Sequence, residues 1–393
     1  KLNPLQRLVS QTAIYGISSV VGRFLNYLLV PLFTYFFVPA EYGVIAELYA
    51  YMGFLSVFLL LGLETGYFRF REDTHWQSEF VFSTVLWIVI GFSGIFFMSL
   101  IMFLDPLATL LRYQEHKHYL IWTGAILVLD AIGSIAFARL RAENKALRFA
   151  GIKLLEIGVN VGINVFLIGY CRQIHTVDPE SLFGQLWNPH IGVGYVLLAN
   201  LVASSFKLLL LGDVLLNVKA GFNLLMFQRI LGYSLPMVLI GLAGIVNEML
   251  DRVILKYLLP YDAATNMAQL GIYSACYKMS ILMTLFIQAF RYAGEPFFFA
   301  HAKQANARQL YAEVLRYFTI FCVFIFLLVT LYIDFFKYFI GAPFRVGLKI
   351  VPILLLANLF LGIYVNLSIW YKLSDRTLMG AGAKKYVNNG TNK

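Results

Sequence analysis

Ten long apolar runs set the pattern of this chain. They lie at residues 12–38, 44–63, 80–104, 119–138, 149–170, 191–216, 230–259, 270–299, 314–336 and 348–371, separated by short polar turns. Each has the roughly 18 or more mainly apolar residues that a helix needs to cross the hydrocarbon core of a bilayer. A helix of this kind satisfies its own backbone hydrogen bonds, which lipid cannot do for it. The pattern therefore predicts an all-α polytopic membrane protein of about ten transmembrane helices. Pro31 and Pro236 fall inside the first and seventh runs and are expected to kink them.

Composition agrees with this class. The 393 residues are 60% hydrophobic and 13% charged, with a mean hydropathy of +0.73, far too apolar for a water-soluble globule. In such a chain the formal charge of +10 reads as topology rather than as nucleic-acid binding. One set of alternate loops and ends holds seventeen Lys and Arg, among them Arg69, Arg71, Arg139, Arg141, Lys145, Arg148 and the tail from Lys372. The other set holds seven: Arg112, Lys117, Arg172, Lys256, Lys337, Arg345 and Lys349. The positive-inside rule then places both termini in the cytoplasm. Cys171, Cys276 and Cys322 lie far apart with no CxxC spacing, so neither a disulfide framework nor a metal site is expected, and no cofactor. No stretch reads as a cleavable signal peptide.

A repeat runs through the chain. Leu25-Asn26, Pro39 and Tyr42-Gly43-Val44 recur as Val246-Asn247, Pro260 and Leu270-Gly271-Ile272, with the same Asn-to-Pro spacing and a longer loop in the second copy. The first and seventh runs thus read as equivalent, the sign of two parallel halves. The N-terminal half, 1–218, has six helices. The C-terminal half, 219–372, has about four and is expected to be incomplete, and 373–393 form a polar tail.

Several polar residues interrupt the runs in helical register. Tyr15, Ser19, Arg23 and Asn26 share one face of the first run, and Lys153, Glu156, Asn160 and Asn164 share one face of the fifth. Both faces are candidate cavity linings. The alternative is that Ser and Asn join helices and Lys153 pairs with Glu156. Gly158 and Gly162 have the small-xxx-small spacing of close helix packing. In the seventh run Glu248 and Arg252 suit an i, i+4 ion pair, with Asp251 adjacent. Lys278 has no acid three or four residues away. Glu64 and Asp130 are candidates for binding a coupling proton or sodium ion.

The residues Tyr15-Gly16, Arg23, Asn26-Tyr27, Pro31-Leu32, Pro39-Ala40-Glu41-Tyr42-Gly43, Leu61-Gly62-Leu63-Glu64-Thr65 and Phe68-Arg69-Phe70 resemble the start of bacterial polysaccharide biosynthesis flippases. These form the Wzx-like branch of the superfamily that also holds multidrug and toxin extrusion (MATE) antiporters and lipid II flippases. Asp251-Arg252, Tyr257-Leu258, Gly271-Ile272-Tyr273 and Asn366-Leu367-Ser368-Ile369-Trp370-Tyr371-Lys372 look similar too. The resemblance implies a MATE-like two-lobe bundle whose second lobe is short of helices here. It also implies a flippase of the bacterial inner membrane that moves undecaprenyl-diphosphate-linked repeat units of O-antigen, capsule or exopolysaccharide by alternating access. Other polysaccharide assembly proteins would be its partners, and it would perform no covalent chemistry. On that reading Arg23, Asn26, Arg252 and Lys278 form the substrate site, since guanidinium and ammonium groups hold phosphate by charge-assisted hydrogen bonds. A lipid II-type flippase and a multidrug antiporter are alternatives within the superfamily, and a polysaccharide polymerase or ligase is one outside it. The run 12–38 contains no acid to meet a cationic drug, and the outer loops are nearly bare of catalytic groups.

Overall fold

The computed structural model describes residue 16 and residues 20–71, 76–216, 218, 221–301 and 307–373. All regular structure among the described residues is helical. The described part of each of the ten apolar runs forms a helix or a broken pair of helices. Among the described residues seven are long and apolar enough to span a bilayer, Ala263–Met279 and Ile281–Arg291 reach that length only as a pair bent by 48°, and Val20–Phe36 and Gly194–Leu210 are shorter. The protein is a multi-span membrane protein.

Helix α1, Val20–Phe36, turns at Leu28. Pro31 has no N–H for the Tyr27 carbonyl, and its ring crowds that carbonyl, so the ladder fails where the sequence predicts a kink. Helix α2, Pro39–Leu60, starts on a proline, and the Glu41 carboxylate accepts the Val38 N–H at 3.0 Å. It ends where Leu61 and Gly62 take positive φ of 48° and 67°, and α3, Leu63–Arg71, follows. Helix α4 is Ser78–Met102, α5 Leu104–Leu111, α6 Lys117–Ala142 and α7 Ala146–Asn164. Helix α7 runs into a π-helical stretch, Val165–Cys171, before Arg172–Val177. Helix α8 is Gly194–Leu210 and α9 Gly212–Leu216. Helix α10, Leu224–Leu258, continues through Pro236 without interruption. Helix α11 is Ala263–Met279, α12 Ile281–His301, α13 Ala307–Leu331 and α14 Val351–Leu373.

The helices divide into two compact units. The larger takes in Val21–Ala275 and Ile340–Phe344. In it α6 packs on α4 and α8, α8 packs on α7, and α10 packs on α2 and α3. Its core is aliphatic and aromatic, with Leu48, Val81, Phe82, Ile126, Ile135, Leu140 and Leu197 fully or almost fully buried. The half of α4 carrying Ile95, Met98 and Met102 is exposed, as a lipid-facing surface is. The smaller unit includes Cys276–Phe339 and α14. There Phe286 stacks on Phe318 and Phe321, and Asn358 donates to the Ser280 hydroxyl at 3.0 Å across the bend between α11 and α12.

Two expectations about helix packing change. Nothing lies within 4 Å of where a Cβ would sit at Gly158 or Gly162, so that glycine pair packs no helix among the described residues. Lys256, placed among the loop cations by its position in the sequence, lies inside α10 and is buried.

Candidate functional site

The polar stripe of α7 leads to a chain of charges inside the larger unit. Lys207 on α8 is the centre of it, with only 4% of its side chain exposed. Its ammonium donates to Asp130 Oδ1 on α6 at 2.6 Å and to Glu156 Oε1 on α7 at 2.8 Å. The other Glu156 oxygen accepts Lys153 Nζ at 2.8 Å, and Asp130 Oδ1 also accepts the Ser204 hydroxyl at 2.7 Å. Gly133 makes the approach feasible, because a Cβ there would come within 2.8 Å of Lys207 Cε. Farther along the stripe the Asn164 side-chain amide donates to Asn160 Oδ1 at 2.9 Å.

The chain of charges is neutral as a set, with two ammonium and two carboxylate groups, so its members offset one another's desolvation. They are not equally enclosed. Asp130 is 41% exposed in its side chain, whereas Glu156 is 11%. The set is open to its surroundings at Asp130 and at Lys153, whose side chain is 39% exposed, and Lys207 bonds to both carboxylates.

A second ionic cluster lies between α2 and α10. Glu47 is fully buried and accepts Lys256 Nζ at 2.5 Å and the Tyr113 hydroxyl at 2.7 Å. Lys256 donates also to the Leu111 carbonyl at 2.9 Å, with the rings of Tyr113 and Tyr257 about it at 5.2 and 5.0 Å. Glu47, Lys207 and Lys256 are absent from the site residues that the sequence suggests. The signal for Glu47 and Lys207 was there, since an ionisable residue inside an apolar run is a functional candidate in its own right.

The other candidates are dispersed. Arg23 and Asn26 are exposed on α1 and make no hydrogen bond or ion pair to a described residue. Gly22, beside them, lies against Ile157 of α7. Tyr15 and Ser19 lie outside the described residues. Arg252 is buried, and its guanidinium donates to Asp251 Oδ1 at 3.1 Å and to the Glu248 carbonyl at 2.5 Å. The i, i+4 carboxylate pairing expected with Glu248 is thus taken by Asp251, which also accepts the Tyr273 hydroxyl at 2.5 Å. Glu64 accepts Arg141 at 2.7 Å. Lys278 is half-buried in the smaller unit.

Solved structures with this fold are transporters. The chain is similar to a MATE in complex with MaD3S at a TM-score of 0.61 and 15% identity, over 96% of this chain and 85% of the other. A multidrug resistance MATE family transporter of the MOP superfamily, in an outward-facing conformation, gives 0.55 at 14% identity over 97% and 83%. A eukaryotic MATE transporter gives 0.54 at 15% identity over 96% and 84%. Identities this low establish the fold alone, a MATE-like helical bundle. No curated protein matches the chain significantly. The sequence profile described as polysaccharide biosynthesis protein, in contrast, matches residues 32–340, which include both ionic clusters. With that match over most of its length, the chain belongs to the polysaccharide biosynthesis protein family.

Proposed function

We propose that this protein is a flippase for undecaprenyl-diphosphate-linked oligosaccharides in a bacterial inner membrane, working by alternating access between halves 1–218 and 219–372. The observation that carries the reading is the chain of charges from Lys153 to Asp130. Such groups are costly at membrane depth and mark transport pathways by default. Family membership supports a glycan substrate, and the MATE-like bundle is consistent with transport.

The proposal divides the work between two sets of residues. Asp130 and Glu156 bind the coupling proton or sodium ion, with Lys207 released as either carboxylate is neutralised. Glu64 is a further candidate, though its carboxylate is engaged by Arg141. Arg23 and Asn26, which have free hydrogen-bonding groups, meet the substrate's diphosphate, and Arg252 or Lys278 adds positive charge. Lys153, Glu156, Asn160 and Asn164, with Tyr15 and Ser19, line the path. Both termini are cytoplasmic on this reading, and other polysaccharide assembly proteins act on either side of the step.

Likeness to multidrug transporters favours a second reading, export of organic cations. The run 12–38 offers Arg23 and no acid, which disfavours a cationic substrate. Complementation separates the two. In a strain lacking its own O-antigen or capsule flippase, rescue of surface polysaccharide is the expected result. Accumulation of lipid-linked repeat units inside the cell, together with ethidium efflux, would replace this proposal with drug export.

A further inference from the structure

A cavity of about 360 Å³ lies at the end of the larger unit that carries Leu111, His116 and His190. It is at the opposite end of α6 from Arg139 and Arg141, and so on the outer side by the bias of cations. Its volume falls in the range of small-molecule sites, about 300–1,000 Å³. Arg112, His116 and His190 line it, and none of their side chains makes a hydrogen bond or ion pair to a described residue. Arg112 stands at a left-handed φ of 65°, where α5 ends.

The rest of the wall is fixed. At the base Lys256 spends two of its three N–H groups on Glu47 and Leu111, which leaves one. Glu41 gives one carboxylate oxygen to the Val38 N–H and keeps the other. The rings of Tyr113 and Tyr119 are buried, with their hydroxyls tied to Glu47 and to the Ile191 carbonyl. They add carbon surface, and the His116 ring is stacked on Tyr119 at 4.8 Å.

The cavity therefore joins unpaired donors, an available acceptor and aromatic walls, and its fixed charges cancel: Arg112 against Glu41, and Lys256 against Glu47. An isolated phosphate or carboxylate finds no net positive field there. A polyhydroxylated ring, which donates and accepts around its whole edge and offers C–H faces to aromatic carbon, fits both properties. We propose that this cavity is a saccharide subsite, which receives a sugar of the translocated glycan on the outer side. The inference rests on the flippase reading and adds to it a place where the sugar, rather than the diphosphate, is held.

The test is saturation-transfer NMR on the full chain in lipid nanodiscs, with glucose, galactose, mannose and N-acetylglucosamine as probes. At least one should receive saturation at its ring protons, and Arg112→Ala and His190→Ala should each weaken that binding about fivefold, the scale of one lost hydrogen bond. Both side chains are exposed and unpaired, so thermal melting should not move. The proposal is overturned if no probe receives saturation, if both variants bind like the parent chain, or if inorganic phosphate abolishes the signal. Complementation run in parallel keeps the two readings apart. Rescue without saccharide binding removes the subsite and leaves the flippase. Binding that depends on Arg112 and His190, without rescue, removes the flippase and leaves the subsite.

Discussion

Gly43 and Gly271 meet where α2 and α11 cross, and the contact is reciprocal. A Cβ on Gly271 would strike the Pro39 carbonyl and come within 2.9 Å of the Gly43 nitrogen, while a Cβ on Gly43 would strike the Met267 carbonyl. Each glycine thus faces the carbonyl four residues before the other, as a two-fold axis between equivalent helices would require. These are also the glycines that correspond in the sequence repeat, so the repeat is expressed as a physical contact.

Because the obstacle is backbone and not a flexible side chain, Gly271→Ala should destabilise the protein by about 1–3 kcal/mol. Gly158→Ala, where nothing lies within 4 Å, should be neutral or stabilising by up to about 1 kcal/mol through helix propensity. Thermal melting in detergent compares the two. Equal melting temperatures for both variants would mean that the close approach has no energetic weight.

Lys207→Met leaves Asp130 and Glu156 facing each other without their shared cation, and removing one member of a buried ionic set costs about 3–5 kcal/mol. The triple variant Lys207→Met, Asp130→Asn, Glu156→Gln should recover most of that stability. If the set couples transport to an ion, the triple variant will fold and still fail to rescue surface polysaccharide. A triple variant that rescues fully would assign the network to packing alone.

The Glu47–Lys256 pair behaves in the same way at a second place. Glu47→Gln should lower the melting temperature strongly, because it leaves the Lys256 ammonium buried with weaker partners. Glu47→Leu with Lys256→Met should melt near the parent. A double variant as unstable as the single one would show that Tyr113 and Leu111 depend on the charges for their own placement.

Arg23 gives a prediction of the opposite kind. With no partner among the described residues, its change to Ala should alter stability by no more than about 0.5 kcal/mol. Transport should nevertheless fall almost to nothing in Arg23→Ala and survive in part in Arg23→Lys, since lysine keeps the charge but not the paired hydrogen bonds. Normal transport by the alanine variant would take Arg23 out of the substrate site.

What the sequence reveals depends on how local the cause is. The ten runs are legible because burial in lipid acts on every residue of a span, and the break at Leu28 because Pro31 acts on its own helix. The Lys153–Glu156 pair and the Asn160–Asn164 bond follow from helical spacing alone. The partners of Lys207 and Lys256 do not. Asp130 is 77 positions from Lys207, and Glu47 is 209 from Lys256, so their meeting depends on how separate helices pack. Periodicity within one helix carries no trace of that. The cavity beside Lys256 is beyond reach for the same reason, since its walls come from five separate stretches of chain.

The π-helical stretch Val165–Cys171 begins directly after Asn164, the last member of the α7 stripe. A π turn holds about one residue more than an α turn, so this stretch contains surplus chain. Deleting one residue at Phe166 or Leu167 would convert the turn to α geometry and leave both flanking segments facing as they do now. The same deletion at Val159 has no surplus to absorb it. It would rotate Asn160 and Asn164 by about 100° away from Lys153 and Glu156. Length variation in this helix is thus permitted on one side of Asn164 and forbidden on the other, which makes the residue a fixed mark against which shorter and longer versions of the span can be aligned.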